Sequence, residues 1–73
     1  MKKEYIPLVN EFGETRGYRF KQLREMEGMS LRWLSKRTKI PKKKLERMEK
    51  DEIPFTQEAL IVLSRIFSST LWI

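Results

Sequence analysis

The residues that stop and start helices between Gly28 and Pro41 constrain this chain more than any other feature. Gly28 suits the end of one helix, and Ser30 suits the cap that begins the next. Pro41 suits the first turn of a further helix, because the amide hydrogen that proline lacks has no helical partner there. A helix from Ser30 to Arg37 therefore leaves room only for a tight turn of about three residues before the following helix.

Helical spacing continues on both sides of this segment. Phe20, Leu23 and, more loosely, Met26 recur at the interval that predicts an amphipathic first helix. Thr56 is a suitable cap for a fourth helix over residues 57–67, which is rich in aliphatic side chains. The pattern thus predicts four short helices, with the tight turn between the second and the third.

The N-terminal segment, residues 1–16, has a different pattern. β-Forming residues precede a turn-like sequence in which Asn10 suits the start of a turn and Gly13 can adopt a positive φ. We expect a short β-hairpin or an extended arm here. The chain then divides into this arm, a helical domain over 17–67 and an apolar tail over 68–73.

These elements predict an all-α fold that contains a helix-turn-helix. The sequence has 73 residues, the size of one small domain. It has no Cys and no His, so disulfides, Cys/His zinc sites and His- or Cys-dependent catalysis are excluded. We predict no enzyme, no cofactor and no small-molecule substrate. No stretch has the length and hydropathy of a membrane span or a signal peptide, so we expect a cytoplasmic, nucleoid-associated protein.

Positive charge is concentrated in one segment. The whole chain has a net charge of +6, whereas residues 32–50 contain nine basic and two acidic residues, a net of +7. The rest of the chain therefore sums to −1. A near-neutral scaffold with one basic segment is typical of nucleic-acid binders, although a solvated basic face is the simpler alternative.

The geometry of the third helix, residues 41–50, favours the nucleic-acid interpretation. At about 100° per residue, Leu45 and Met48 lie on one face, with Ile40 at the start of the helix. The long polar side chains on the opposite side are Lys43, Arg47 and Lys50, flanked by Lys42 and Glu46. A helix of this form can enter a major groove, where Lys and Arg favour guanine and Glu accepts a hydrogen bond from cytosine.

Residues 17–67 resemble the Cro/repressor (XRE-type) helix-turn-helix family. The matching motifs are GxRFxxLR (17–24), GMS (28–30), Leu34 with Ser35, Ile40, LERME (45–49), Pro54 and ALxxLSxxF (59–67). The resemblance implies a lambda-repressor-like bundle of four to five helices. It also implies a sequence-specific double-stranded DNA-binding transcriptional regulator of the phage or mobile-element kind.

The resemblance further implies roles for individual side chains. Base-reading positions are Lys42, Lys43, Glu46 and Arg47. Positions expected to contact phosphate are Ser30, Arg32, Lys36, Lys39, Lys44 and Lys50. Arg24 and Glu49 occupy positions that form a partly buried ion pair between the first and third helices.

Three residues depart from the family pattern. Lys39 stands where glycine is common, so either Lys39 adopts a left-handed conformation or the turn differs. Leu31 replaces a glutamine that bonds phosphate. Trp33 is a large apolar residue at a usually exposed place, and we expect it to pack in the core rather than stack on bases.

The fourth helix is apolar nearly all round, which is unusual for an isolated surface helix. We expect the N-terminal arm, the tail or a second subunit to cover it. The residues of this dimer or arm-packing surface are Ile61, Val62, Ile66, Leu71 and Trp72. A symmetric homodimer through the fourth helix and the tail is our working hypothesis.

A second class of function is a protein-interaction module with the same fold, antitoxin-like or anti-repressor, that binds a partner through the fourth helix. Membrane binding is disfavoured, because the lysine-rich helix lacks a broad apolar face. RNA binding is supported by charge alone, since no aromatic strand platform is visible. The basic outer face of the third helix favours DNA.

Overall fold

The computed structural model describes residues 6–67, and four α-helices occupy most of this range. They are α1 (Arg16–Met26), α2 (Leu31–Thr38), α3 (Lys42–Glu49) and α4 (Gln57–Phe67). Residues 6–67 form no β-strand, so the predicted all-α class is confirmed. The tail at 68–73, with Leu71 and Trp72, lies outside the described residues.

Short polar side chains begin three of these helices. The hydroxyl oxygens of Ser30 and Thr56 accept hydrogen bonds from the backbone amides three residues later, as the sequence predicted. Thr15 does the same at the start of α1, where it accepts from the Tyr18 amide at 3.1 Å. The first helix ends at Met26, and Gly28, with φ +68°, follows the C-cap residue Glu27, as expected of a glycine that stops a helix.

The turn between α2 and α3 contains a residue in the left-handed conformation. Lys39 has φ +65° and ψ +20°, and its amide donates to the Ser35 carbonyl at 2.8 Å. The Ser35 hydroxyl donates to the Ile40 carbonyl at 2.6 Å, and the Thr38 hydroxyl accepts from the Ile40 amide at 3.2 Å. Lys39 therefore takes the conformation that glycine adopts most easily, and these side-chain hydrogen bonds stabilise the turn around it.

The core lies where the four helices meet. Phe20 of α1 packs edge-to-face against Phe55 and Phe67, with ring centroids 5.7 and 6.0 Å apart. The other buried apolar side chains are Leu34, Leu45, Met48, Ala59 and Leu63. This one cluster joins all four helices, so it sets the position of α3 relative to the rest of the domain.

Two expectations about the core were wrong. Met26 is 77% exposed, because two successive steps of three residues turn it about 120° away from Phe20. Trp33 is 41% exposed, since its neighbour Leu34 takes the buried position on α2. The Arg37 guanidinium lies 5.0 Å from the centroid of the Trp33 ring, a cation–π contact at the surface.

The segment before α1 forms a closed turn rather than a hairpin with strands. Val9 and Thr15 make an isolated antiparallel bridge. The Asn10 side chain accepts from the amides of Phe12 and Glu14 at 2.8 and 2.9 Å, an Asx-type turn. Over residues 6–12, the arm's large apolar side chains are mostly exposed, so they do not provide the expected cover for the fourth helix.

Candidate nucleic-acid interface

One face of α3 anchors the helix and the other faces solvent. Leu45 and Met48 are fully buried, against α1 and α2. The exposed basic side chains of α3 and its C-cap residue, which we call the α3 basic surface, are Lys43, Arg47 and Lys50 opposite the buried face and Lys42 and Lys44 on its flanks. Glu46 is half-buried beside it. Of the base-reading positions implied by the resemblance, three therefore lie on the exposed surface and the fourth lies at its edge.

The positions expected to contact phosphate are also exposed. Ser30 lies at the start of α2, and Arg32 and Lys36 lie along this helix. Lys39 lies in the turn, next to the start of α3. Arg32, Lys36 and Lys39 thus add exposed positive charge on α2 and in the turn that leads to α3. Their roles in binding DNA remain predictions.

The lysines of this region are not neutralised by carboxylates. Within residues 6–67, ion pairs join Arg24 to Glu49 and Arg47 to Glu52, and no lysine of this range takes part in one. The first turn of α3 contains three lysines and no acidic residue, although a helix N-terminus already carries partial positive charge. An anion such as a phosphate would relieve this repulsion.

A largely buried ion pair joins α3 to α1. The Arg24 Nε atom on α1 lies 2.8 Å from Glu49 Oε2 at the end of α3, and the two side chains are 15% and 9% exposed. Arg24 Nη1 also donates to the Met29 carbonyl at 3.0 Å. One guanidinium thus links α1, the loop before α2 and α3.

The end of α3 carries two acidic residues whose roles the sequence did not suggest. Asp51 adopts φ +62°, and its carboxylate accepts from the Thr15 hydroxyl at 2.6 Å and from the Gly17 amide at 3.1 Å. Glu52 follows, and its Oε1 lies 3.3 Å from Arg47 Nε. The Asp51 contacts carry no local sequence signal, because they depend on how α1 meets the end of α3.

Other kinds of site find no support among the described residues. Over residues 6–67, no group of three or more acidic residues could hold a metal ion. In the same range, no helix is long and apolar enough to cross a membrane.

Two short helices joined by a tight turn, the second with a buried face and a basic face, define a helix-turn-helix domain. A family model described as "Helix-turn-helix domain" matches residues 19–63, and the protein belongs to this family. Comparison with curated proteins found no match, and comparison with solved structures found none either. Members of such families typically bind DNA and are typically not enzymes, so the assignment indicates a DNA-binding regulator.

Proposed function

We propose that the protein is a sequence-specific double-stranded DNA-binding transcriptional regulator of the Cro/repressor (XRE) type, of phage or mobile-element kind. The observation that carries the proposal is the α3 basic surface, which is exposed opposite the buried side chains of Leu45 and Met48. A helix anchored in this way can present long basic side chains to a major groove without losing its packing.

In the proposed complex, α3 lies in the major groove. Lys42, Lys43 and Arg47 reach base edges, where lysine and arginine favour the O6 and N7 atoms of guanine. Glu46, at the edge of the surface, is placed to accept from a cytosine amine. Contacts to phosphate, which position the protein but carry no sequence information, come from Ser30, Arg32, Lys36, Lys39, Lys44 and Lys50.

The proposed regulation is occlusion of a promoter or recruitment at one. Binding through many lysines releases counterions, so the affinity should fall steeply as salt increases. A domain this small would bind more tightly as a pair of subunits on a two-fold operator, with half-sites about one helical turn apart. The cell compartment that suits this function is the cytoplasm, at the nucleoid.

Selection of binding sites from a random pool of DNA duplexes would test the proposal. The purified full chain is incubated with the pool at moderate salt, and the bound fraction is sequenced after several rounds. We expect one enriched motif, and a palindrome would indicate two subunits on the operator. No enrichment over the starting pool would contradict sequence-specific binding.

A second candidate function rests on the exposure of Ile61. This residue on α4 is 50% exposed, and Val62 beside it is half-buried. An apolar position on this helix would suit the antitoxin-like or anti-repressor interaction module, in which a protein partner binds α4. If the selection finds no DNA motif, this second function becomes the first to test.

A further inference from the structure

We propose that Glu52 is a positioning residue that orients Arg47 so that it reads a base through its two terminal nitrogens. The contact that motivates this is the 3.3 Å distance between Arg47 Nε and Glu52 Oε1. The inference rests on the proposed function, because it assigns a role in DNA recognition to a residue outside α3.

Hydrogen bonds to both α3 and the start of α1 hold the backbone around Glu52 in place. Its amide donates to the Arg47 carbonyl at 2.9 Å, and the Asp51 amide donates to the Met48 carbonyl at 3.1 Å. With Asp51 at φ +62°, these two hydrogen bonds form a Schellman motif at the end of α3. The Asp51 carboxylate is bonded in turn to Thr15 and Gly17 of the α1 start, so the motif is also tied to a second helix.

An exposed ion pair between two mobile side chains orients little, because both partners sample many rotamers. Here one partner is attached to a backbone that the Schellman motif and α1 hold in place. Glu52 therefore offers its carboxylate to Nε from a fixed backbone position, although the Arg47 and Glu52 side chains are 55% and 51% exposed.

The contact also selects which donors of Arg47 are left for DNA. Nε is engaged by Glu52, whereas the two terminal nitrogens make no hydrogen bond within the described residues. A guanidinium offering its terminal nitrogens side by side matches the O6 and N7 acceptors of guanine. The geometry thus favours guanine at the base pair that Arg47 reaches.

The alternative explanation is electrostatic repulsion between the Glu52 carboxylate and DNA. A carboxylate near a DNA-binding surface repels phosphates, and removing it would strengthen binding to every sequence alike. Positioning predicts something different: removal of Glu52 should weaken the preference at one base pair and leave the preferences at the other base pairs unchanged.

The experiment compares variants of the full chain on the selected site and on all single-base-pair substitutions of it. Arg47→Ala first identifies the base pair at which Arg47 acts, as the position where the preference disappears. Glu52→Ala and Glu52→Gln are then measured on the same duplexes. Glu25→Ala is the matched control, because Glu25 is exposed on α1 and has no ion pair within residues 6–67.

We expect Glu52→Ala to reduce the preference at the Arg47 base pair by about three- to tenfold, part of the discrimination that a bidentate contact provides. Glu52→Gln should keep most of the preference, because an amide oxygen can still accept from Nε. In an Arg47→Ala background, Glu52→Ala should change no preference further.

Different results would separate the two proposals. A wild-type chain without preference at any base pair would overturn the proposed function and this inference together. A selective wild-type chain whose preferences are unchanged in Glu52→Ala would overturn only the role of Glu52. The same conclusion would follow if Glu52→Ala raised the affinity evenly for all duplexes, as repulsion predicts, or if Arg47→Ala removed no base preference.

Discussion

The Arg24–Glu49 and Arg47–Glu52 ion pairs differ more in burial than in length. Arg24 and Glu49 are 2.8 Å apart and mostly buried, whereas Arg47 and Glu52 are 3.3 Å apart and half-exposed. Water screens the charges of the second pair, so breaking this pair should cost little stability. Loss of one partner from the first pair leaves a charge at a place where water cannot fully solvate it.

Arg24→Ala should therefore lower the free energy of unfolding by about 3 kcal/mol, a large part of the stability of so small a domain. Thermal or urea unfolding followed by circular dichroism would measure the loss. Arg47→Ala is the control, for which we expect a change of at most about 1 kcal/mol. Equal melting temperatures for Arg24→Ala and wild type would contradict the importance of the ion pair with Glu49.

The double variant Lys43→Ala/Arg47→Ala should abolish sequence-specific DNA binding and leave the fold intact, because both side chains are exposed on the α3 basic surface. Fluorescence anisotropy with the selected duplex would measure the affinity, and circular dichroism would report the fold. Lys21→Ala/Arg65→Ala removes the same charge from exposed positions on α1 and α4. If the affinity of Lys43→Ala/Arg47→Ala were unchanged, a different surface would have to contact DNA.

The start of α1 packs closely against the end of α3. A Cβ atom added at Gly17 would lie 2.5 Å from the Glu49 carbonyl oxygen and 2.8 Å from that of Met48. Nearby, Asp51 supplies α1 with the acidic group that its own first turn lacks. The orientation of α3 relative to α1 thus depends on Gly17 in α1 and on Asp51, just after α3.

Gly17→Ala should destabilise the domain by about 2 kcal/mol or more, because the backbone carbonyls it would strike cannot rotate away. The gain in helix propensity, about 1 kcal/mol at most, offsets only part of this loss. Urea denaturation would measure the change. Gly13→Ala is a useful comparison: it has a positive φ but open space around it, so the expected loss is smaller, about 1 kcal/mol. A Gly17→Ala variant as stable as wild type would show that the two helices can separate at little cost.

Asp51→Ala should cost about 3 kcal/mol, since it removes two hydrogen bonds to a charged acceptor and places alanine at φ +62°. Asp51→Asn keeps an acceptor and tolerates the left-handed conformation, so we expect a loss of only about 1 kcal/mol. Melting temperatures of the two variants, measured together, would test this order. The interpretation fails if alanine is tolerated as well as asparagine.

The molecule as a whole has one apolar helix that is only partly covered. Leu60 and Ile66 of α4 pack against the core, which accounts for some of its apolar excess. Ile61 remains 50% exposed. The homodimer hypothesis assigns this remainder, together with the tail beyond the described residues, to contact with a second subunit.

If α4 forms a dimer interface, Ile61→Glu should produce a monomer while the wild-type chain sediments as a dimer at micromolar concentration. The physical reason is that a charge placed in an apolar contact loses its hydration without gaining a partner. Sedimentation equilibrium would measure the mass, and Met26→Glu, at an exposed apolar residue on α1, is the matched control. A monomeric wild-type chain would remove the dimer hypothesis.

Local features of the sequence predicted the helices well. The N-caps at Ser30 and Thr56 and the glycine that follows α1, Gly28, depend only on residues within one helical turn. Capping and helix-stopping residues were therefore sufficient to locate three helix ends. Periodicity placed Leu45 and Met48 inward and Lys43 and Arg47 outward on α3. Met26 was placed wrongly, because two three-residue steps turn it about 120° away from Phe20. The core packing expected for Trp33 was also wrong, because Leu34 takes the buried position on α2.

The sequence by itself thus determined the all-α class, the tight turn and the concentration of charge on one helix, because each arises from neighbouring residues. Only the tertiary structure decided that Lys39 takes the left-handed conformation, that Asp51 caps α1 and that Glu52 contacts Arg47. The Asp51 contact joins residues brought together by the packing of α1 against α3, and the Glu52 contact depends on the Schellman motif that ends α3. Local propensity carries no information about how two helices meet, so the contacts of Asp51 with Thr15 and Gly17 follow only from the assembled core.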